Sequence, residues 1–256
     1  MKFLTNLKKR IQRVDKGMIK VKLKDRTYVS AMALLCATVF ANFLNFGFNA
    51  YLGRVLEFED LALIGLFGSL LYFSFIPNGA IGSTVNYRSS FLEGKFGEKI
   101  SRYFWKTMRM RVFVLAVLVS AAWIGASPFF MGYFKVENFF PLLAFTPIVF
   151  FGLVSSVDRG YLSARFAFFF LALVAIFEPL VKLLAAFGFV LAGYKSSAYL
   201  SIPISVGLVF VLISMYFFFD KKTHTVENSV KKFPHRFFAG SLLTNLSTIS
   251  FLSLDI

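Results

Sequence analysis

Apolar residues along this chain gather in long runs separated by short polar interruptions. The clearest run is Phe166 to Tyr194, FAFFFLALVAIFEPLVKLLAAFGFVLAGY. It is too long and too apolar for the core helix of a soluble domain, and a bilayer's hydrocarbon is crossed by about 20 such residues. The same pattern recurs over Tyr28 to Leu52, Leu61 to Val85, Val112 to Phe134, Phe139 to Val157 and Ser197 to Phe219, and a seventh run begins near Phe237. The pattern predicts an all-α integral membrane protein: a basic tail over 1–27, a six-helix transmembrane bundle over 28–219, a linker over 220–236, and the start of a seventh helix over 237–256. At about 1.5 Å per residue the fifth run exceeds a 30 Å hydrocarbon core, so it is expected to tilt or reach the headgroups.

Polar residues inside the runs are the candidate chemistry. Glu178 and Lys182 sit near the middle of the fifth run, where a lone charge costs about 2.5 to 3.5 kcal/mol on the insertion scale. Glu at i and Lys at i+4 share a helix face in the favoured order. Pro179 also leaves the Ala175 carbonyl without its helical donor. Two readings follow: a buried pair that fixes helix register, or a pair facing a polar cavity, where Lys182 attracts an anion and Glu178 holds its charge or takes a proton. The cavity is the preferred reading. In the first run Thr38, Asn42, Asn45 and Asn49 recur at helical spacing on one face. Singly they serve as interhelical hydrogen-bonding groups, worth about 0.6 to 2 kcal/mol each; as a set they read as a stripe lining a lumen. The second run carries Pro77, Asn78 and Gly79, which predicts a bend or interruption near Pro77. Gly65 and Gly68 are read as sites of close helix packing.

Charge then sets orientation, because Lys and Arg near the ends of spans favour the cytoplasmic side. Of the 28 basic residues, ten precede Tyr28, seven lie from Arg88 to Arg111, two from Asp158 to Arg165 and five from Asp220 to Arg236. The intervening connections hold only Arg54, Lys135 and Lys195. The alternation predicts a cytoplasmic N-terminus and short outward loops. Phe3, Leu4, Leu7, Ile11 and Val14 alternate with cations in the tail, which fits either a helix lying on anionic lipid or a solvated topology signal.

Composition narrows the classes. The chain is 57% hydrophobic and 19% aromatic with 36 phenylalanines, outside the range of ordinary soluble domains. The net charge of +15 is spread between apolar runs rather than gathered on one folded surface, so nucleic acid is not an expected partner. Cys36 is the one cysteine, so no disulfide forms within the chain. His224 and His235 lie in the polar linker without ligand spacing, and no metal or other cofactor is expected. No Ser/His/Asp set, paired carboxylates or phosphate loop can be assembled, which argues against an enzyme. The N-terminal region lacks the apolar core of a signal peptide.

The run LGRVLEFEDLALIGLFGSLLYFSFIPNGAIGSTVNYRS, with Arg54, Leu56, Glu59 and Asp60 at its outer turn, resembles the opening of the polysaccharide-transport branch of the multidrug/oligosaccharidyl-lipid/polysaccharide (MOP) exporter superfamily. The inner turn Asp158, Arg159, Gly160, Tyr161, Leu162 leading to Glu178 and Lys182 is similar too, and NLSTISFLSLDI, with Asp255, resembles the start of that family's seventh helix. Ala62, where the family usually has glycine, and Pro77-Asn78 before Gly79 depart from the pattern. The resemblance implies a flippase of twelve to fourteen helices, in which two bundles enclose a cationic cavity and move an undecaprenyl-diphosphate-linked oligosaccharide between leaflets of the bacterial inner membrane. On that basis the chain is expected to be one bundle and the beginning of the next. Asn42, Asn45, Asn49 and Asn78 are expected to contact sugar and Lys182 the diphosphate. Arg54 and Arg88 are candidates at the cavity mouths, and H+ or Na+ is the candidate coupling ion. The rivals are an ion-coupled exporter of small molecules, with a more acidic cavity, and a membrane enzyme that polymerises or ligates lipid-linked glycans.

Overall fold

A computed structural model describes residues 26–219 except positions 135 and 137. The basic tail, the linker with its two histidines and the seventh run with Asp255 lie outside the described residues. Within them the chain is helical, with no strand. The α-helices are α1 (Arg26–Val55), α2 (Phe58–Phe96), α3 (Glu98–Phe134), α4 (Phe140–Ala144), α5 (Thr146–Ala164), α6 (Phe168–Leu191) and α7 (Ser201–Phe219), and a 3-10 turn over Lys195–Leu200 leads into α7. Six segments, with α4 and α5 counted as one and the 3-10 turn joined to α7, are long and apolar enough to cross a membrane.

Local chemistry explains the breaks. Pro147 has no N–H to continue the α4 ladder, so the fourth span divides at Phe145, whose carbonyl accepts from the Ile148 and Val149 amides at 3.0 and 3.3 Å. Gly193, at φ +82°, closes α6, and the Tyr194 amide returns to the Phe189 carbonyl at 2.9 Å. The turn from α5 to α6 places Phe166 at φ +56°, a left-handed conformation more often given to glycine.

α5 is the hub. About half of its span is buried inside the bundle, against a third or less for the others. It packs on α2, α3 and α7 and touches α6 briefly, while α1 packs chiefly on α6. One core cluster gathers Val85, Phe104, Trp105, Val157, Tyr161 and Phe217; a second, nearer the other end, gathers Phe48, Leu52, Phe67, Phe145 and Tyr199. Much of the apolar surface is left outside: Phe73 is 71% exposed and Phe129 74%. A monomer in water rarely shows such a surface, whereas in lipid it is the solvated face. The chain is a multi-pass membrane protein.

Three expectations change. The stretch from Arg88 to Arg111 is not a loop, because α2 and α3 run through it and meet at Gly97, φ +88°. With 39 and 37 residues, these helices are about 58 and 55 Å long and must project beyond the hydrocarbon. Similarly, Asp158 to Ala164 is the end of α5 rather than a turn. Finally, α2 continues through Pro77 without interruption.

Close packing also falls elsewhere than at Gly65 and Gly68, where an added Cβ would meet nothing within 4 Å. At Gly160 a Cβ would lie 2.4 Å from the Gly82 carbonyl oxygen, and at Gly152 3.1 Å from the Asn78 Nδ2. Gly152, Ser156 and Gly160 form a ridge of small residues along α5 that lets α2 approach.

Candidate functional site

The site is built across α1, α5 and α6. Lys182, just past the midpoint of α6, donates to Asn45 Oδ1 on α1, and its ammonium lies 4.5 Å from the centre of the Phe48 ring. The ring face is a favourable surface for a cation and the amide oxygen a neutral acceptor. One turn earlier on α6, Glu178 does not pair with Lys182. It accepts from Arg159 of α5, with Nη2 to Oε2 at 2.7 Å. This pair is 42% exposed on the arginine and 35% on the glutamate, so it opens from the bundle rather than being sealed in it. The favoured i, i+4 spacing is therefore overridden by a cross-helix guanidinium, whose geometry suits a carboxylate better than an ammonium does.

The remaining sequence candidates divide. Asn42 and Asn49 are exposed on α1 beside half-buried Asn45, so the stripe runs along the edge of the α1–α6 contact with only its middle member engaged by Lys182. Thr38 bonds to its own helix at the Leu34 carbonyl, 2.9 Å. Asn78 belongs to another neighbourhood: it lies against Gly152 and lines an apolar cavity of about 410 Å³ with Pro77, Leu115, Trp123, Phe145 and Leu153. Arg54 is exposed in the last turn of α1, and Arg88 is half-buried on α2 beside the Tyr87 ring. Of the eight candidates, then, Lys182 and Asn45 are brought into contact, with Glu178 a turn away.

Arg159 was read as part of a turn and not as a site residue. The signal that could have found it is the Asp158-Arg159-Gly160 run directly after an apolar span, if the helix is continued about two turns further. A second polar cluster lies nearby. Asp158 is fully buried, its Oδ1 accepts from the Trp105 indole at 2.8 Å, and its Oδ2 lies 3.3 Å from Arg109 Nε. Arg109 Nη2 also reaches Ser214 Oγ of α7 at 3.2 Å. Toward the hairpin tip, Glu98 accepts from both Arg102 and Arg165 at 2.5 Å. Among the described residues no group of three His, Cys, Asp or Glu could hold a metal ion.

No protein-family model matches the sequence, and no curated protein matches it. Solved structures do. An outward-facing multidrug resistance MATE family transporter of the MOP superfamily superposes with a TM-score of 0.70 at 12% identity, over 92% of this chain and 55% of that one. A MATE structure in complex with MaD3S gives 0.71 at 12% identity, over 88% and 53%. A MOP superfamily transporter from Pyrococcus furiosus, described as having a binding pocket of reverse polarity that suggests a different function, gives 0.66 at 14% identity, over 88% and 51%. The fold of the described residues is the one these transporter structures share. The chain spans about half the length of the structures it matches.

Proposed function

We propose that this chain is the N-terminal bundle of a MOP transporter that moves a diphosphate-linked lipid oligosaccharide across the bacterial cytoplasmic membrane, with its N-terminus inside. The observation that carries this reading is the uneven pairing of charge. Glu178 neutralises Arg159, whereas among the described residues no carboxylate forms an ion pair with Lys182, which rests on a neutral amide and a ring. The patch thus holds one net positive charge at mid-helix depth and opens outward, an arrangement that suits an anionic rather than a cationic cargo. Asn42 and Asn49, exposed on the same helix as Asn45, supply donors and acceptors for sugar hydroxyls. Arg159 joins Lys182 as a second cation within reach of a diphosphate. In this reading Asn78 is a packing residue, and Arg54 and Arg88 sit at the two ends of the path. The connections at 56–57 and 192–194 are too short for an outward catalytic domain, which supports transport over polymerisation or ligation.

The test is Lys182→Ala in the full-length protein. Surface polysaccharide is expected to be lost with protein level unchanged, and normal polysaccharide would remove Lys182 from the mechanism. A second reading, ion-coupled export of small molecules using H+ or Na+, is favoured by the half-exposed Glu178 carboxylate and by the likeness to multidrug MATE structures. It predicts instead that Lys182→Ala preserves efflux of cationic dyes and that Glu178→Gln abolishes it.

A further inference from the structure

Three consecutive residues of α5 each commit to a different helix. Asp158 is held by Trp105 and Arg109 of α3, and through Arg109 it is joined to Ser214 of α7. Arg159 reaches Glu178 of α6. Gly160 lies against the Gly82 carbonyl of α2, so close that a Cβ would meet that oxygen at 2.4 Å. Successive residues of an α-helix point about 100° apart. Three anchors in a row therefore fix the rotation of α5 about its own axis more tightly than any one of them could. A small turn of α5 would drive Gly160 into α2, withdraw Asp158 from the indole, and swing Arg159 off Glu178 together.

We infer that Asp158 is a positioning residue: its clamp by Trp105 and Arg109 sets the rotation of α5 and thereby presents Arg159 to Glu178 at the candidate site. The carboxylate is fully buried while its neighbour in sequence is nearly half exposed. A buried carboxylate that accepts from one indole, faces a guanidinium at 3.3 Å and lies beside an aromatic stack is confined to few arrangements, whereas an exposed ion pair alone would be loosely held. Trp105 adds to this rigidity by stacking on Tyr161 of the same α5, centroids 5.2 Å apart, and on Phe217 of α7 at 4.5 Å. The bearing of this clamp on transport rests on the reading given above, but the clamp itself does not.

The experiment is a double-mutant cycle between Arg159 and Glu178 in the full-length protein, read as apparent unfolding temperature in detergent without substrate. Arg159→Gln, Glu178→Gln and their combination are made first in the native background, then with Trp105→Phe, which keeps a ring but removes the indole donor. The native cycle is expected to show non-additivity, and Trp105→Phe to reduce that non-additivity by more than half. A merely structural role for Trp105 lowers every unfolding temperature and leaves the coupling unchanged, which would overturn the inference, as would a native cycle with no coupling. Should Trp105→Phe not fold, Asp158→Asn decides by the same criterion, since its amide oxygen still accepts from the indole while the charge facing Arg109 is gone. If Lys182→Ala exports normally, the transport reading falls and this cycle still stands or fails on its own terms.

Discussion

Lys182 is tolerable in the middle of a span because an amide oxygen and a ring face take the place of water, while the nearby carboxylate is committed to a guanidinium. That allocation has a consequence for Glu178. Replacing it with Gln leaves both Arg159 and Lys182 without a carboxylate on that face, adding one positive charge next to the place where a diphosphate is expected. At an effective dielectric typical of partly exposed sites, this is worth about 1 kcal/mol or more, so inorganic pyrophosphate should bind the purified Glu178→Gln protein about fivefold more tightly. Titration calorimetry at constant ionic strength measures it, and equal or weaker binding would show that Glu178 does not shield the cations. The presence of Glu178 and Lys182 was legible in the sequence, since charges inside an apolar run stand out. Their partners were not. The i, i+4 spacing made each the obvious mate of the other, whereas Arg159 and Asn45 are 19 and 137 positions away and only tertiary packing reveals them.

At the scale of elements, the six membrane-long helical segments among the described residues followed directly from hydropathy, because a backbone in lipid must satisfy its own polar groups and a helix does so within one segment. Helix ends were harder to read. Arg88 to Arg111 and Asp158 to Arg165 looked like connections because they are charged, yet their charges find partners on neighbouring helices: Arg109 on Asp158, Arg159 on Glu178, and both Arg102 and Arg165 on Glu98. Glycines misled for a related reason, since a small residue shows that a close approach is possible but not where a neighbour lies. The contrast can be measured. Gly160→Ala forces α2 and α5 apart at a backbone oxygen and is expected to destabilise the bundle by about 1–3 kcal/mol, seen as a lower unfolding temperature in detergent. Gly65→Ala and Gly68→Ala meet open space and, with alanine's better helix propensity, should be neutral or slightly stabilising. Equal losses at all three positions would mean that the α2–α5 crossing is not the tight contact described.

For the whole molecule, orientation is the property on which the direction of the proposed transport depends. Six spans place both ends of the described bundle on the same side, and the long α2–α3 hairpin ends on that side too, with exposed Lys95, Lys99 and Lys106 near its tip. Cationic residues are retained on the cytoplasmic face, so the orientation proposed above predicts the hairpin inside and the turn at Lys195 outside. Cys36 is the chain's one cysteine, so Cys36→Ser supplies a clean background for single-cysteine labelling. In intact cells a membrane-impermeant maleimide should modify Lys195→Cys and leave Lys99→Cys untouched; in inverted vesicles the pattern should reverse. The length of the hairpin sharpens the expectation, because helices of about 55 Å carry Lys99 well clear of a 30 Å hydrocarbon core, so its cysteine should react at the rate of a free aqueous thiol. Labelling of Lys99→Cys from outside would invert the bundle and overturn the proposed cytoplasmic N-terminus.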